Sequence, residues 1–306
     1  MSLLPTPSTQ FNLFEQNVLE ELWQPTNEVQ PFKTQLLKWI GNKQRFAHEI
    51  IAFFPNNYGT YFEPFVGSGA VLGTLAPKRA IAGDILKPLA EIWQTLSSDP
   101  EQLIAWYSER WQIYQDNNGK DGYEKIKATF NANPNGADLL FLSRSCYGGV
   151  VRFRKDGYMS TPCGVHAPIT PEAFRKRVVI WSERVRGTKF IHSDAINTMQ
   201  QAVAGDLVYC DPPYVDSQAI LYGAQDFSLE RLFQEIQACK SRGVKVALSI
   251  DGTKRSGNKI CNVSMPDGVF EREASVNCGR SMLRRFQMAG ETLESEEVSD
   301  RLLLTW

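Results

Sequence analysis

An apolar run, Asp206-Leu-Val-Tyr-Cys210, stops at Asp211-Pro212-Pro213-Tyr214, and this junction constrains the fold more than any other stretch of the 306 residues. A short apolar run bounded by turn residues reads as a strand buried on both faces, the kind found in parallel sheets. Such a sheet needs helices on both sides, so the expected class is α/β and doubly wound. A rigid acid-Pro-Pro-aromatic turn at the strand's carboxyl end lies where open α/β sheets bind ligands. Two prolines fix φ near −65°. The Asp211 carboxylate and the Pro212 carbonyl can each accept one N–H of an exocyclic amine, and Tyr214 can stack on a flat base. Taken alone, the tetrapeptide also reads as a plain loop, because Asp and Pro are common turn residues.

A second motif shifts that balance. Tyr61-Phe-Glu-Pro-Phe-Val-Gly67-Ser-Gly69-Ala-Val71 runs from an apolar strand through a Gly-x-Gly loop into a helix. Glycine lets the backbone turn sharply and approach a ligand closely. The helix start favours a carboxylate or phosphate. This is not the full Gly-x-Gly-x-x-Gly dinucleotide fingerprint. The next strand, Arg79-Ala-Ile-Ala-Gly83, ends in Asp84. An acid there can hold ribose hydroxyls; the alternative is a helix cap for Ile85 onward.

Glu63-Pro-Phe-Val-Gly-Ser-Gly69 together with Asp211-Pro-Pro-Tyr214 resembles the S-adenosylmethionine-dependent DNA adenine-N6 methyltransferases of the Dam-like class. Leu37-Lys38-Trp39-Ile-Gly41-Asn-Lys43 is similar to that family's N-terminal Lys-Trp-x-Gly-x-Lys segment. The motif order also agrees, from about residue 31 to the C-terminus, with looser likeness over 100–190 and 251–300. The resemblance implies a Rossmann-like methyltransferase sheet with an inserted, mainly helical DNA-recognition domain. It implies that Trp39 and Lys43 contact S-adenosylmethionine, the lysine reaching its carboxylate. Phe65, Gly67 and Gly69 would wrap the methionine part, Asp84 would hold the ribose, and Asp194 would face the cofactor's adenine ring. Asp211, Pro212 and Tyr214 would hold the target adenine, with Asp211 also beside the cofactor. The chain departs from the family's Arg-Tyr-Asn and Phe-Asn-Val-Pro-Phe-Gly signatures. It carries Arg144-Ser-Cys-Tyr-Gly-Gly149 and Gly157-Tyr-Met-Ser-Thr-Pro-Cys-Gly164 instead, which leaves GATC recognition open.

Composition bounds the remaining classes. No apolar run approaches the ~20 residues of a membrane span. The N-terminus has acids and no Lys or Arg before Lys33, unlike a signal peptide. Six cysteines show no C-x-x-C pair, so neither a metal nor a disulfide is expected, and reduced thiols fit a bacterial cytoplasm or nucleoid. The net charge is −1, yet from Arg144 to Lys189 ten basic residues face three acids. That local excess points to a phosphate-facing surface, although part of Arg175-Lys-Arg177 also reads as a solvated helix face. The implied partner is double-stranded DNA, with a cognate restriction endonuclease left open.

The chain divides into a polar arm (1–30), a discontinuous catalytic domain (31–98 and 188–306) and an inserted target-recognition domain (99–187). A short helix over Asn12 to Trp23 is expected in the arm. In the insert, helices are expected over Asp99 to Asp116 and Tyr123 to Asn131, with Leu103, Trp106 and Trp111 in the core. Cys146 to Gly157 alternates Val, Phe and Arg before Asp-Gly, which predicts a hairpin. Arg152 and Arg154 then share one face. With Arg144 and Lys155 they form the DNA-binding set. Beyond the insert, strands are expected at Lys189–His192, Asp206–Cys210, Gly243–Ile250 and Arg301–Trp306, with a helix over Ser228–Arg242. Residues 251–265 read as a basic loop.

The chemistry that the resemblance implies is direct attack of adenine N6 on an activated methyl group. Orientation of nitrogen, carbon and sulfur is the enzyme's main work, after the base has swung out of the duplex. Asp211 need not be a strong base, and no cysteine nucleophile is required. Cytosine-N4 methylation is the nearest rival, and Asp at the first position of the tetrapeptide favours adenine. Glutamine or RNA-base methylation tends toward Asn-Pro-Pro-Tyr. A DNA-binding regulator that has lost activity would not need the intact set of Lys43, Gly67, Asp84 and Asp211.

Overall fold

The computed structural model describes residues 28–213, 227–251, 265–277 and 299–306. The expected arm helix, Tyr214 and most of the basic loop lie outside them.

The elements follow in chain order: α1 (Ala47–Ala52), β1 (Tyr61–Glu63), α2 (Ala70–Leu75), β2 (Ala80–Asp84), α3 (Lys87–Ser98), α4 (Pro100–Asp116), α5 (Lys120–Ala132), α6 (Gly136–Ser145), α7 (Pro171–Arg184), β3 (Thr188–His192), α8 (Ala195–Met199), β4 (Leu207–Cys210), α9 (Leu229–Ser241), β5 (Lys245–Asp251), β6 (Arg272–Asn277) and β7 (Ser299–Leu304). The strands form one sheet in the order β3-β2-β1-β4-β5-β7-β6. Neighbours among β1 to β5 are parallel. β7 runs antiparallel to both β5 and β6. From β1 the order proceeds outward through β2 to β3, and from β4 it proceeds the other way to β5. The junction of β1 and β4 is therefore the topological switch point, where a crevice opens at the carboxyl ends of the strands.

Alternation along the strands divides the core between the two sheet faces. Tyr61, Leu207, Tyr209 and Ala247 join one buried cluster, while Phe62, Val208, Cys210, Val246 and Leu248 join the other. The first cluster also holds Leu103 and Tyr107 of α4, Phe141 of α6 and Trp181 of α7. The insert thus packs into the same hydrophobic body as the sheet. Tyr107 stacks on Phe174 with centroids 4.1 Å apart. The Asp138 carboxylate, almost fully buried, accepts a hydrogen bond from Arg110 Nε at 2.9 Å.

Helix starts follow local chemistry. Asp99, Asn135, Thr170 and Ser228 each accept a backbone N–H at the head of α4, α6, α7 and α9, the usual role of these residue types. The expected hairpin is present: Phe153 bridges Met159, Arg154 N donates to Tyr158 O at 2.9 Å, and Ser160 N donates to Arg152 O at 3.0 Å. The edge strand β6 goes beyond the sequence expectation. Its residues Arg272-Glu-Ala-Ser-Val-Asn277 bury only Ala274 and Val276 among the side chains described, so no apolar run marks it.

Candidate active site

The crevice at the switch point holds a cavity of about 280 Å³. Its walls come from the segment before α1 (Trp39, Lys43), the β1–α2 turn (Glu63 to Ser68), the end of β2 (Asp84 to Leu86), the start of α8 (Asp194 to Ile196), the end of β4 (Asp211 to Pro213) and the head of α9 (Phe227, Ser228, Arg231). Residues from six places in the sequence thus meet around one space.

Lys43 is buried, and its Nζ lies 2.8 Å from Asp211 Oδ1. The same ammonium donates to Gly41 O at 3.2 Å. An ion pair this shielded from water keeps more of its strength than an exposed one, but it stays favourable only if its remaining hydrogen-bonding groups are satisfied. Pro212 is buried and Pro213 half-buried at the lip.

The β1–α2 turn forms the floor. Gly67 has φ +47° and Gly69 φ +65°, a left-handed backbone that L side chains rarely adopt. Gly67 N donates to Asp84 Oδ2 at 3.1 Å, and Trp93 Nε1 donates to Gly67 O at 3.0 Å. A Cβ on Gly67 would meet the Trp39 ring at 3.5 Å, and one on Gly69 would meet the Trp93 ring at 2.8 Å. Gly69 therefore lies behind the cavity wall, where it lets α2 begin against Trp93. Phe65 faces the cavity and meets Phe227 edge-on at 5.8 Å.

Asp84 accepts from Gly67 N on one oxygen and from Leu86 N, at 2.9 Å, on the other. Asp84 lines the cavity but does not cap the next helix, which begins at Lys87 with Leu86 at its N-cap and no side-chain cap, so the cap reading is corrected. Burial pushes its carboxyl up to about 6, opposed by these two backbone N–H groups. Asp194 caps α8 through Ile196 N at 2.9 Å and lines the cavity.

Glu63 belongs to the glycine motif, although the sequence assigns it no role of its own. It lies in the cavity wall, is almost fully buried, and accepts from Tyr61 Oη at 2.6 Å. Burial pushes its carboxyl up to about 8, the Tyr61 hydrogen bond opposing and the nearby Asp211 charge adding to the shift. The signal in the sequence is an acid inside an otherwise apolar strand, which costs free energy unless it has a partner or a use. Phe227, Ser228 and Arg231 read in the sequence as a helix start, which carries no sign that they line a cavity.

Cys210 precedes Asp211 but does not line the cavity. Its thiol lies 3.9 Å from Met199 Sδ on the opposite face of the sheet, and burial holds it well above its ordinary range. Among the described residues, no cysteine stands at this site to take a covalent step.

The four basic residues expected at DNA separate into two groups. Arg152, Arg154 and Lys155 are exposed on the hairpin, while the intervening Val151 and Phe153 are buried. Arg154 pairs with Asp156, Nε donating at 3.2 Å, and its guanidinium lies 4.5 Å from the Tyr158 ring. Arg144 is different: it is buried in α6 and donates to Gln35 O at 3.2 Å and Leu36 O at 2.7 Å. An arginine so enclosed cannot meet a phosphate, which corrects the expectation that Arg144 binds DNA. Arg177 Nη1 also donates to Gln35 O, at 3.0 Å, and Trp181 Nε1 to Thr34 O, at 3.0 Å. The insert thereby clamps the segment that leads to Trp39 and Lys43.

Among the described residues no group of His, Cys, Asp or Glu could hold a metal, and no helix is long and apolar enough to cross a membrane.

Comparison with known proteins adds an independent observation. The family model of D12 class N6 adenine-specific DNA methyltransferases matches residues 39–266. The DNA N-6-adenine-methyltransferase of Escherichia phage P1 is 26% identical over 233 residues, covering 72% of this chain but 30% of that protein, so the chain spans under a third of that relative's length. The type II methyltransferase M.MjaIII of Methanocaldococcus jannaschii is 29% identical over 249 residues, covering 72% of this chain and 84% of that one. The DNA adenine methylase of Vibrio cholerae is 27% identical over 226 residues, covering 70% and 79%. A solved rRNA methyltransferase from Streptomyces viridochromogenes aligns over 85% of this chain and 83% of that one at 14% identity and a TM-score of 0.34, a likeness too remote to bear on the site.

Proposed function

The chain belongs to the D12 class of N6 adenine-specific DNA methyltransferases, and from that premise we propose that its cavity binds S-adenosylmethionine and that Asp211 and Pro212 grip the amine of an everted adenine beside it. The observation that carries this reading is the meeting of Lys43, the Gly67 turn, Asp84, Asp194 and Asp211 around one cavity at the switch point.

The residues present suit the cofactor's parts. Lys43 offers a cation to a carboxylate, and Asp84 offers a carboxylate to ribose hydroxyls. Asp194 lies where an adenine ring can be contacted, and the left-handed turn at Gly67 leaves a floor without a Cβ. Trp39 and Phe65 supply apolar walls. When bound, S-adenosylmethionine supplies an electrophilic methyl carbon on a sulfonium.

The chain's own contribution is positional. Asp211 accepts one N–H of the target amine and the Pro212 carbonyl accepts the other, which directs the nitrogen lone pair toward the donor. Preorganised acceptors of this kind require no rearrangement as charge develops on the amine. The Lys43 ammonium holds the Asp211 carboxylate in place and also faces the cofactor subsite, so one side chain serves both. Tyr214 would stack on the base, and its position lies outside the described residues. The proton released from the methylated amine passes to water.

The 99–187 insert would place duplex DNA over this mouth, with Arg152, Arg154 and Lys155 on phosphates or guanine edges. The type II methyltransferases among the relatives support a place in a restriction–modification system, and a DNA substrate is in keeping with a bacterial cytoplasm or nucleoid.

Transfer of tritiated methyl groups into duplex DNA, followed by nucleoside analysis, tests the reading. Label in N6-methyldeoxyadenosine is the expected result. Label in N4-methylcytosine, or DNA binding without label, would overturn it. Modified-base sequencing of DNA from expressing cells would then give the recognition site.

A further inference from the structure

Two cysteines in the insert are paired across a strand gap. Cys146 and Cys163 form an isolated antiparallel bridge, flanked by Tyr147 N donating to Pro162 O at 2.8 Å and Gly164 N donating to Ser145 O at 2.8 Å. Hydrogen bonds that flank a pair, and do not join its own two residues, mark the non-hydrogen-bonded kind of antiparallel site. There the Cα atoms approach to roughly 4.5 Å and the side chains lie closest. Disulfides require Cα separations of about 4.4–6.8 Å, so the backbone already meets the requirement. The two chains are held close at this point: a Cβ on Gly164 would meet Ser145 O at 2.9 Å and Cys146 O at 3.0 Å. Burial raises the Cys146 thiol, and the nearby Cys163 charge adds to that shift. Both are free thiols in the structure, Cys146 buried and Cys163 half-buried.

We propose that Cys146 and Cys163 are a redox modification site, at which a peroxide converts the two thiols into a cross-strand disulfide within the insert. Cys163 has the solvent access, so its sulfur attacks first. One oxygen transfers to it as a sulfenic acid, the O–O bond breaks, and water leaves. The Cys146 sulfur then attacks the Cys163 sulfur, the S–O bond breaks, and the departing hydroxide takes up the Cys146 proton as a second water. Two thiols and one hydrogen peroxide thus give one disulfide and two waters. Burial raises both thiols, Cys146 to about 12, which keeps the thiolate fraction low and the reaction with peroxide slow.

The location gives the bridge a consequence. It ties the end of α6 to the strand that closes the hairpin, so that Arg152, Arg154 and Lys155 fall inside the loop it forms. Gly149, in the same loop, packs against Lys38 next to Trp39 of the cavity wall. The proposal stands apart from the methylation reading, since it concerns thiol chemistry alone.

The test uses the full reduced chain, which has six cysteines. After hydrogen peroxide treatment and quenching, thiols counted in denaturant should fall by two and return with reductant. Tryptic digestion without reductant should join the peptide Ser145–Arg152 to the peptide Asp156–Arg175. Cys163→Ser should lose no thiols under the same treatment, and Cys146→Ala should leave a sulfenic acid at Cys163 that dimedone traps. An unchanged thiol count in the unmodified chain would overturn the proposal. So would a disulfide mapped to other cysteines, or sulfinic acid at Cys163 with Cys146 still a thiol.

Discussion

Asp211 sits at the end of a wholly buried strand with a lysine ammonium 2.8 Å away, and that arrangement separates its two uses. On the proposed reading its carboxylate holds the target amine, whereas the cofactor subsite has several other contacts. Asp211→Ala should therefore lower methyl transfer by a factor on the order of 10²–10³, while cofactor affinity, measured by calorimetry, changes by less than about tenfold. Comparable losses in both would remove the amine-holding role. Glu63 gives a different test. Its ordinary carboxyl value is 4.5 and the fold raises it to about 8. The folded chain therefore binds this proton more tightly than the unfolded one. The group does not oppose folding below about 4.5, and it costs stability progressively as pH rises toward 8. Asp84, raised to about 6, acts in the same direction over a narrower window. Glu63→Gln cannot titrate, so its Tm should decline less than that of the unmodified chain between pH 5 and pH 8. Parallel declines would mean that Glu63 is not the raised carboxyl.

At the scale of elements, the strands are easy to anticipate and the clamps are not. β4 and β5 are continuous apolar runs because both their faces are covered, and the β1–α2 turn is legible because glycine is suited to its left-handed backbone. β6 escapes notice because an edge strand buries only one side. Arg144 misleads for a physical reason: an arginine in a basic stretch looks like surface until its partners are known. Those partners are carbonyls of residues 35 and 36, which no local pattern connects to it. Arg144→Met should leave the Leu36 carbonyl without its buried donor, while Gln35 keeps Arg177, and cost about 1–3 kcal/mol, read as a lower urea midpoint. Gly69→Ala should destabilise further, because the φ of +65° and the Trp93 ring 2.8 Å from a new Cβ both resist it.

Across the whole molecule, a chain of net charge −1 carries its basic excess on the insert, while five acids gather at residues 291–300. Changing Arg152 and Arg154 together to Ala should weaken DNA binding at every sequence and reduce the slope of log affinity against log salt by roughly 0.9 for each phosphate no longer neutralised. An unchanged slope, with altered sequence preference, would show instead that they read bases. The order of the strands around the glycine turn and the tetrapeptide is legible from motif order; the shared hydrophobic body and the clamp on residues 34–36 are not, because both depend on residues that meet from distant parts of the sequence.

The sheet's order has one more consequence, for synthesis. Among the described strands β7 comes last in the sequence, yet it lies between β5 and β6. Among the described strands, until β7 has been made β6 has no partner and β5 presents one margin of backbone groups unpaired. The antiparallel half of the described sheet thus closes only when β7 slides between its two neighbours, however early those have formed.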